Sequence, residues 1–153
     1  MASEKEQLKE KLIGFQRSIA DLKRDLDLQA RQCVERETDL LSGLFEVMDA
    51  FDTLESNLQD RKASLDKPAR MLGKNIRSIH KKLARTLKSN GIDQITFQNN
   101  TAVMTQCKIL ETKPDPNLAN ETLLKIIKNG YINNYDGTIL RKAEVITVRN
   151  EGE

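Results

Sequence analysis

The sequence predicts an α+β protein: a long coiled-coil helix, a helical hairpin, and a small all-β C-terminal module. Three observations predict it. Apolar residues recur at alternating steps of four and three from Leu8 to Leu26 and resume from Leu40 to Leu58 without an intervening proline, which is helical patterning at a heptad period. A second periodic stretch lies between Pro68 and Gly91. Beyond Gly91 the texture changes to short alternating runs rich in β-branched residues, punctuated by Asn, Asp, Gly and Pro. The division expected is a stalk at 1–39, a hairpin forming a dimer bundle at 40–91, a β module at 92–149 and a frayed tail at 150–153.

The first helix carries Leu8, Leu12, Phe15, Ile19, Leu22 and Leu26 on a narrow stripe flanked by charge. From Leu8 to Leu58 the helix is a rod of roughly 75 Å at 1.5 Å per residue. Such a rod cannot bury its stripe against a chain of this size, so a partner helix is implied, most simply a second copy. Gln29, Cys33 and Arg36 continue the seam, and the two polar residues weaken it. The added step of four from Leu40 to Leu44 is a stutter that unwinds a left-handed coil. Beyond it the apolar face widens through Leu41, Leu44, Phe45, Val47, Met48 and Phe51 to Leu54, as expected where a helix meets more than one neighbour. Leu12, Ile19, Leu22, Leu44, Val47, Phe51 and Leu54 are the expected dimerisation residues.

This helix should end near Asp60. Asp66 can cap the next one, and Pro68 is tolerated in its first turn. Leu72, Ile76, Ile79, Leu83 and Leu87 are expected to share its buried face, with Gly91 suited to the left-handed position after its end. A short link favours an antiparallel hairpin, and two hairpins would make a four-helix bundle. Charge is split between the helices: Glu35–Asp60 holds eight acids and one base, whereas Lys67–Lys88 holds eight bases and no acid. The basic residues, Arg77 and Lys81 among them, recur at helical spacing and are expected to point outward, as a solvated face or a docking face for an acidic partner.

In the last third, Ile92–Phe97 and Ala102–Leu110 read as strands separated by a turn at Gln98–Thr101, and Pro114–Asn117 reads as a loop. Thr122–Lys128 fits a strand or a helical turn. Gly130-Tyr131-Ile132, the turn Asn133–Gly137 and Thr138–Arg141 read as a hairpin, and Ala143–Val148 as a last strand.

Composition excludes more than it names. With Lys plus Arg at 25 and Asp plus Glu at 23, net charge selects no partner. No stretch approaches the ~18 apolar residues of a membrane span, and the charged N-terminus has no signal-peptide core. Cys33 and Cys107 lack metal or disulfide spacing, which fits a reducing, cytoplasmic compartment. The single histidine, His80, has no evident carboxylate or second histidine beside it, so neither catalysis nor metal binding is indicated, and it reads as a bundle-edge residue. No phosphate-binding glycine motif or nucleophile elbow occurs. The expectation is a non-enzyme without cofactor.

The order of these elements resembles the GrpE family, the nucleotide exchange factors of DnaK-type chaperones. Lys128-Asn129-Gly130-Tyr131, Asp136-Gly137, Leu140-Arg141-Lys142-Ala143-Glu144-Val145 and Thr147-Val148 are similar to the family's C-terminal run. Leu44–Asp52 and Leu83–Asp93 resemble two further family segments. The resemblance implies a homodimeric co-chaperone in protein folding and stress response that contacts a DnaK-like ATPase domain and wedges its nucleotide cleft open. Carried over residue by residue, it places partner contacts at Gly130, Tyr131, Gly137, Thr138, Arg141 and Lys142, to which the basic stripe adds Arg77 and Lys81. The family's Asp-Pro-x-x-His is absent from Phe97–Val103, Thr138 stands where its arginine is usual, and Lys142 replaces a proline. These departures keep open an exchange-inactive adaptor of the same fold. A nucleic-acid-binding protein using helix 67–88 is a further alternative, against which the neighbouring acidic helix argues.

Overall fold

The computed structural model describes residues 3–150. Helix α1 runs Glu4–Asp60 and α2 Lys67–Ser89; six strands follow, β1 (Ile92–Gln94), β2 (Cys107–Lys113), β3 (Leu123–Lys128), β4 (Tyr131–Asn133), β5 (Ile139–Arg141) and β6 (Ala143–Val148). The chain forms two compact units, residues 1–41 and 42–153. In the first unit, Leu8, Leu12, Phe15, Ile19, Leu22 and Leu26 are all exposed along α1.

In the second unit α1 and α2 are antiparallel neighbours. Leu58 lies against Gly73, Glu55 meets Arg77 and Phe51 stacks on His80, so numbers rise on one helix as they fall on the other. Asp66 caps α2 by accepting from the Ala69 amide at 2.9 Å, and Gly91 takes φ +77° after its end. The α2 face that packs on α1 is Ala69, Gly73, Ile76, His80, Leu83 and Leu87. Leu72 and Ile79, expected in that face, are 60 % and 55 % exposed. Ala69 and Gly73 lie on the face toward α1, where the Leu58 side chain covers Gly73, and Leu72 and Ile79 lie to the side of that face. With Ile76 and Leu83 they form the flank of a second apolar stripe. On α1, Leu40, Val47 and Leu54 are likewise exposed, while Phe45 and Met48 are buried. The basic stripe therefore lies about 120° around α2 from the packed face at 100° per residue, not diametrically outward as expected. Arg77 consequently reaches Glu55 at 3.6 Å.

The β module comprises two three-stranded sheets, β1-β4-β5 and β2-β6-β3. Strand β6 is central, parallel to β2 and antiparallel to β3. Around it Ala102, Cys107, Leu123, Ala143 and Val145 form the core, with Phe97 and Ile109 packed against it. Strand β2 starts later than expected because the amides of Gln106 and Cys107 both donate to Val103 O, turning the chain before pairing begins. It then continues past Leu110 to Lys113, opposite Val148. Residues 123–128 are a strand, yet only Leu123 among them is buried. Pairing with β6, not burial alternation, decides their conformation, and their side-chain pattern was correspondingly ambiguous. Asn150, assigned to the tail, is held by four hydrogen bonds to Asp115, Leu118 and Asn120; residues 151–153 lie outside the described residues.

Gly130 joins the two sheets at a point with no space for a side chain. A Cβ there would lie 2.6 Å from the Ala143 nitrogen and 3.0 Å from the Arg141 carbonyl oxygen, and backbone cannot swing away as a side chain can. Gly130→Ala should therefore destabilise the protein by about 1–3 kcal/mol, read as a lowered midpoint in urea unfolding.

Candidate functional site: the seat of the β module on the helical hairpin

The acids Asp49, Asp52 and Glu55 recur every third residue on α1, so they line one face of it. Each meets a different donor. Arg141, at the end of β5, forks onto Asp49 with Nη2 at 2.6 Å from Oδ1 and Nη1 at 2.8 Å from Oδ2. The two side chains are only 22 % and 19 % exposed, so this bidentate, charge-assisted pair is well shielded from water. Arg141 also donates from Nε and Nη2 to the carbonyl oxygen of Asn129. Asn129 in turn donates from Nδ2 to Asp52 at 2.7 Å. His80 of α2 lies between Glu55 and Asp52, and Arg77 meets Glu55.

An aromatic pair lies beside this polar ladder. Phe45 of α1 and Tyr131 of β4 stack with centroids 4.2 Å apart and planes within 3°, a contact worth about 0.5–1.5 kcal/mol beyond its buried area. The Arg141 guanidinium carbon lies 5.3 Å and 5.2 Å from the two ring centroids, so the cation is held by carboxylate and π faces together. The ring of Tyr131 is buried, and its hydroxyl is a buried polar atom without a hydrogen-bond partner. Burial, followed by the charge of Asp52, pushes its phenol up to about 12. Burial also raises the Asp52 carboxyl, against the opposing influence of His80 and Asn129.

The residues expected to contact a partner thus separate into two groups. Gly130, Tyr131 and Arg141 are built into the seat, with the donors of Arg141 engaged by Asp49 and Asn129. Gly137, Thr138, Lys142, Arg77 and Lys81 are exposed. Gly137 takes φ +74° at the hairpin, and the Thr138 amide donates to Asp136, holding that carboxyl below its usual range. Lys142 spans to Met104 O at 3.3 Å and remains exposed. Of the dimerisation residues, Leu12, Ile19, Leu22, Val47 and Leu54 are exposed and Leu44 and Phe51 half-buried in the single chain.

Asp49, Asp52, Glu55, Asn129 and Phe45 escaped the sequence reading as site residues, and His80 was assigned no carboxylate partner. The acidic row on a helix with one nearby base was the available signal, but it does not identify donors 77 to 92 residues away. Chemically the arrangement holds surfaces in place; among the described residues no cluster of His, Cys, Asp and Glu could hold a metal ion, and no helix is long and apolar enough to cross a membrane.

The stability carried by the Tyr131 phenol is full below its unfolded value of 10 and is lost as pH rises toward its folded value of about 12. Tyr131→Phe should abolish that alkaline loss. Because the hydroxyl makes no hydrogen bond, the variant should be as stable as the parent at neutral pH or up to ~1 kcal/mol more so. Urea midpoints measured from neutral to strongly alkaline pH check both statements.

The GrpE family model matches residues 1–149. No curated protein matches the chain.

Proposed function

The chain belongs to the GrpE family, whose members are non-catalytic nucleotide exchange co-chaperones of DnaK-type chaperones, and from that premise we propose that it acts as a cytoplasmic homodimer promoting ADP release. The proposed action is differential binding: the β module fits the open form of the chaperone's nucleotide cleft better than the closed form and shifts the population toward release.

The observation that carries this reading is the seat itself. A wedge transmits force only if it is held, and Arg141, Asn129 and Tyr131 lock the β module to the hairpin while Gly137, Thr138 and Lys142 remain open to solvent. Thr138 supplies no cation, so Lys142 is the proposed donor to an acidic patch on the chaperone. Arg77 and Lys81 on α2 form a second proposed contact. The adaptor reading rests on Thr138, where the family's arginine is usual, and on the stretch Phe97–Val103, which has neither the proline nor the histidine of the family's Asp-Pro-x-x-His.

The dimer is supported by two sets of unpartnered apolar residues. Leu12, Ile19 and Leu22 form a seam at heptad spacing in the first unit. Val47 and Leu54 on α1, and Leu72 and Ile79 on α2, face away from the chain's own hairpin in the second. Leu54→Asp should convert the dimer to monomer in sedimentation, because a charge buried without a partner costs several kcal/mol. A parent protein that sediments as a monomer would remove the dimer from the proposal.

Nucleotide release from a DnaK-type chaperone tests the function. The protein should accelerate release of labelled ADP, and Lys142→Glu should weaken chaperone binding by at least ~1 kcal/mol while leaving the fold intact. Binding without acceleration would establish the adaptor instead.

A further inference from the structure

Seven of the eight bases on α2 share one face. Lys67, Arg70, Lys74, Arg77, Lys81, Arg85 and Lys88 follow one another at steps of three or four residues, which places them within a sector of about 80° at 100° per residue. Lys82 alone lies outside it. The sector runs the length of the helix, roughly 30 Å at 1.5 Å per residue, and all of its cations are exposed. It points roughly opposite to Leu72 and Ile79, so a helix covering that apolar flank would leave the basic stripe open.

Like charges at these steps repel one another and destabilise a helix, and a face kept only for solubility mixes both signs. The acid row of α1 is already engaged: Asp49 by Arg141, Asp52 by Asn129, and Glu55 by Arg77 and His80. Among the described residues, Arg77 is the one member of the stripe paired with an acid. The acids of α1 thus serve the seat and leave the stripe uncompensated. Its N-terminal half borders a cavity of about 560 Å³ at the tip of the hairpin, a size within the ~300–1,000 Å³ of ordinary binding sites. Leu58, Leu65 and Gly73 give this cavity an apolar lining, and Lys62, Arg70, Lys74 and Arg77 line it against a single acid, Asp60. Arg70 is held there by donating from Nε to the Leu65 carbonyl oxygen at 2.9 Å.

We propose that the stripe and its cavity dock an acidic helical segment of a partner protein, whose carboxylates recur every three or four residues and whose one aliphatic side chain enters the cavity. Such carboxylates advance along their helix at the same mean rise as the cations of α2. The two rows therefore pair along the stripe, and the cavity sets their register. A single-stranded nucleic acid would find no Phe, Tyr or Trp on α2 for its bases to stack on, and a duplex presents nothing to fill an apolar cavity. Arg77 and Lys81 belong to the stripe, so identifying the acidic segment with the chaperone rests on the function proposed above; the docking surface itself does not.

The test is fluorescence anisotropy with the full-length protein and no chaperone present. The probe is a fluorescein-labelled helical peptide of about 20 residues, enough to span the stripe at 1.5 Å per residue, with glutamates at steps of three and four and one leucine near an end. It should bind, and bind more weakly as salt rises. Replacing its leucine by serine should weaken binding ~threefold or more. Lys81→Glu should weaken it ~threefold or more, whereas Lys82→Glu, the same charge change one residue away but off the stripe, should weaken it less than ~twofold. Lys81→Glu should at the same time raise the thermal midpoint of the protein, because it relieves repulsion from Arg77 and Arg85; a merely structural role for Lys81 would lower stability and binding together. No binding by the parent, equal losses from the two substitutions, or a dispensable leucine would overturn the proposal. A duplex RNA of matched charge that binds as tightly as the peptide would overturn it too. Peptide binding as described, with chaperone binding unchanged by Lys81→Glu, would uphold the docking surface and remove α2 from the chaperone contact.

Discussion

Asp49 and Arg141 are separated by 92 residues of chain and joined by two short charge-assisted hydrogen bonds. Most of what distinguishes this fold from two helices with a β module tethered behind them depends on that pair. Gly91 turns the chain out of α2, but a turn alone would leave the module free to swivel. The fork fixes both direction and roll, because a planar guanidinium meeting a planar carboxylate tolerates little rotation. Arg141 also grips the Asn129 carbonyl, which places the Asn129 amide on Asp52, while Phe45 and Tyr131 exclude water from beside the fork. Ion pairs in water contribute little; this one is shielded, supported by hydrogen bonds and backed by aromatic faces, and those conditions let a pair specify a geometry.

The seat also explains the glycine and tyrosine beside it. Gly130 brings the β5–β6 backbone close enough for Arg141 to turn back toward α1. Tyr131 gains aromatic packing at the cost of a buried hydroxyl without a partner. A phenylalanine would satisfy the packing equally, so stability alone does not account for the tyrosine. Both residues belong to the segment that resembles the family's C-terminal run, and their position shows a structural use for it: both are covered and belong to the seat of the β module on the hairpin.

The two helices divide their apolar residues between a fulfilled face and an unfulfilled one. Phe45, Met48 and Leu87 are buried within the single chain, whereas Val47, Leu54, Leu72 and Ile79 are exposed. Hydrophobic burial is non-directional and proportional to area, so four large side chains left in water on neighbouring helix faces favour any partner of matching shape. A self-complementary surface is the simplest such partner, and the homodimer proposed above would use it.

Much of the architecture was legible in the residues themselves. The heptad spacing from Leu8 to Leu26, the cap at Asp66, the stop at Asn90-Gly91 and the hairpin turn at Gly137 are local signals, each written within a few residues of the structure it specifies. Periodicity, capping and positive φ are properties of short segments, and they transfer from sequence to structure without reference to the rest of the chain. The rotation of α2 was not legible, since Leu72 and Ile79 match the helical period as well as Ala69 and Gly73 do; only contact with α1 decides which face packs. Nor was β3 legible, because its conformation comes from pairing with β6 and not from its own alternation. The site was least legible of all. Asp49, Asp52 and Glu55 read as ordinary acids on a solvated helix, and His80 as an isolated imidazole in a basic one. Their partners lie 22 to 92 residues away, and no local pattern encodes a contact across that separation. The sequence by itself determined the elements and their ends; the tertiary structure alone decided which charges met, because pairing depends on where packing brings the helices and sheets together.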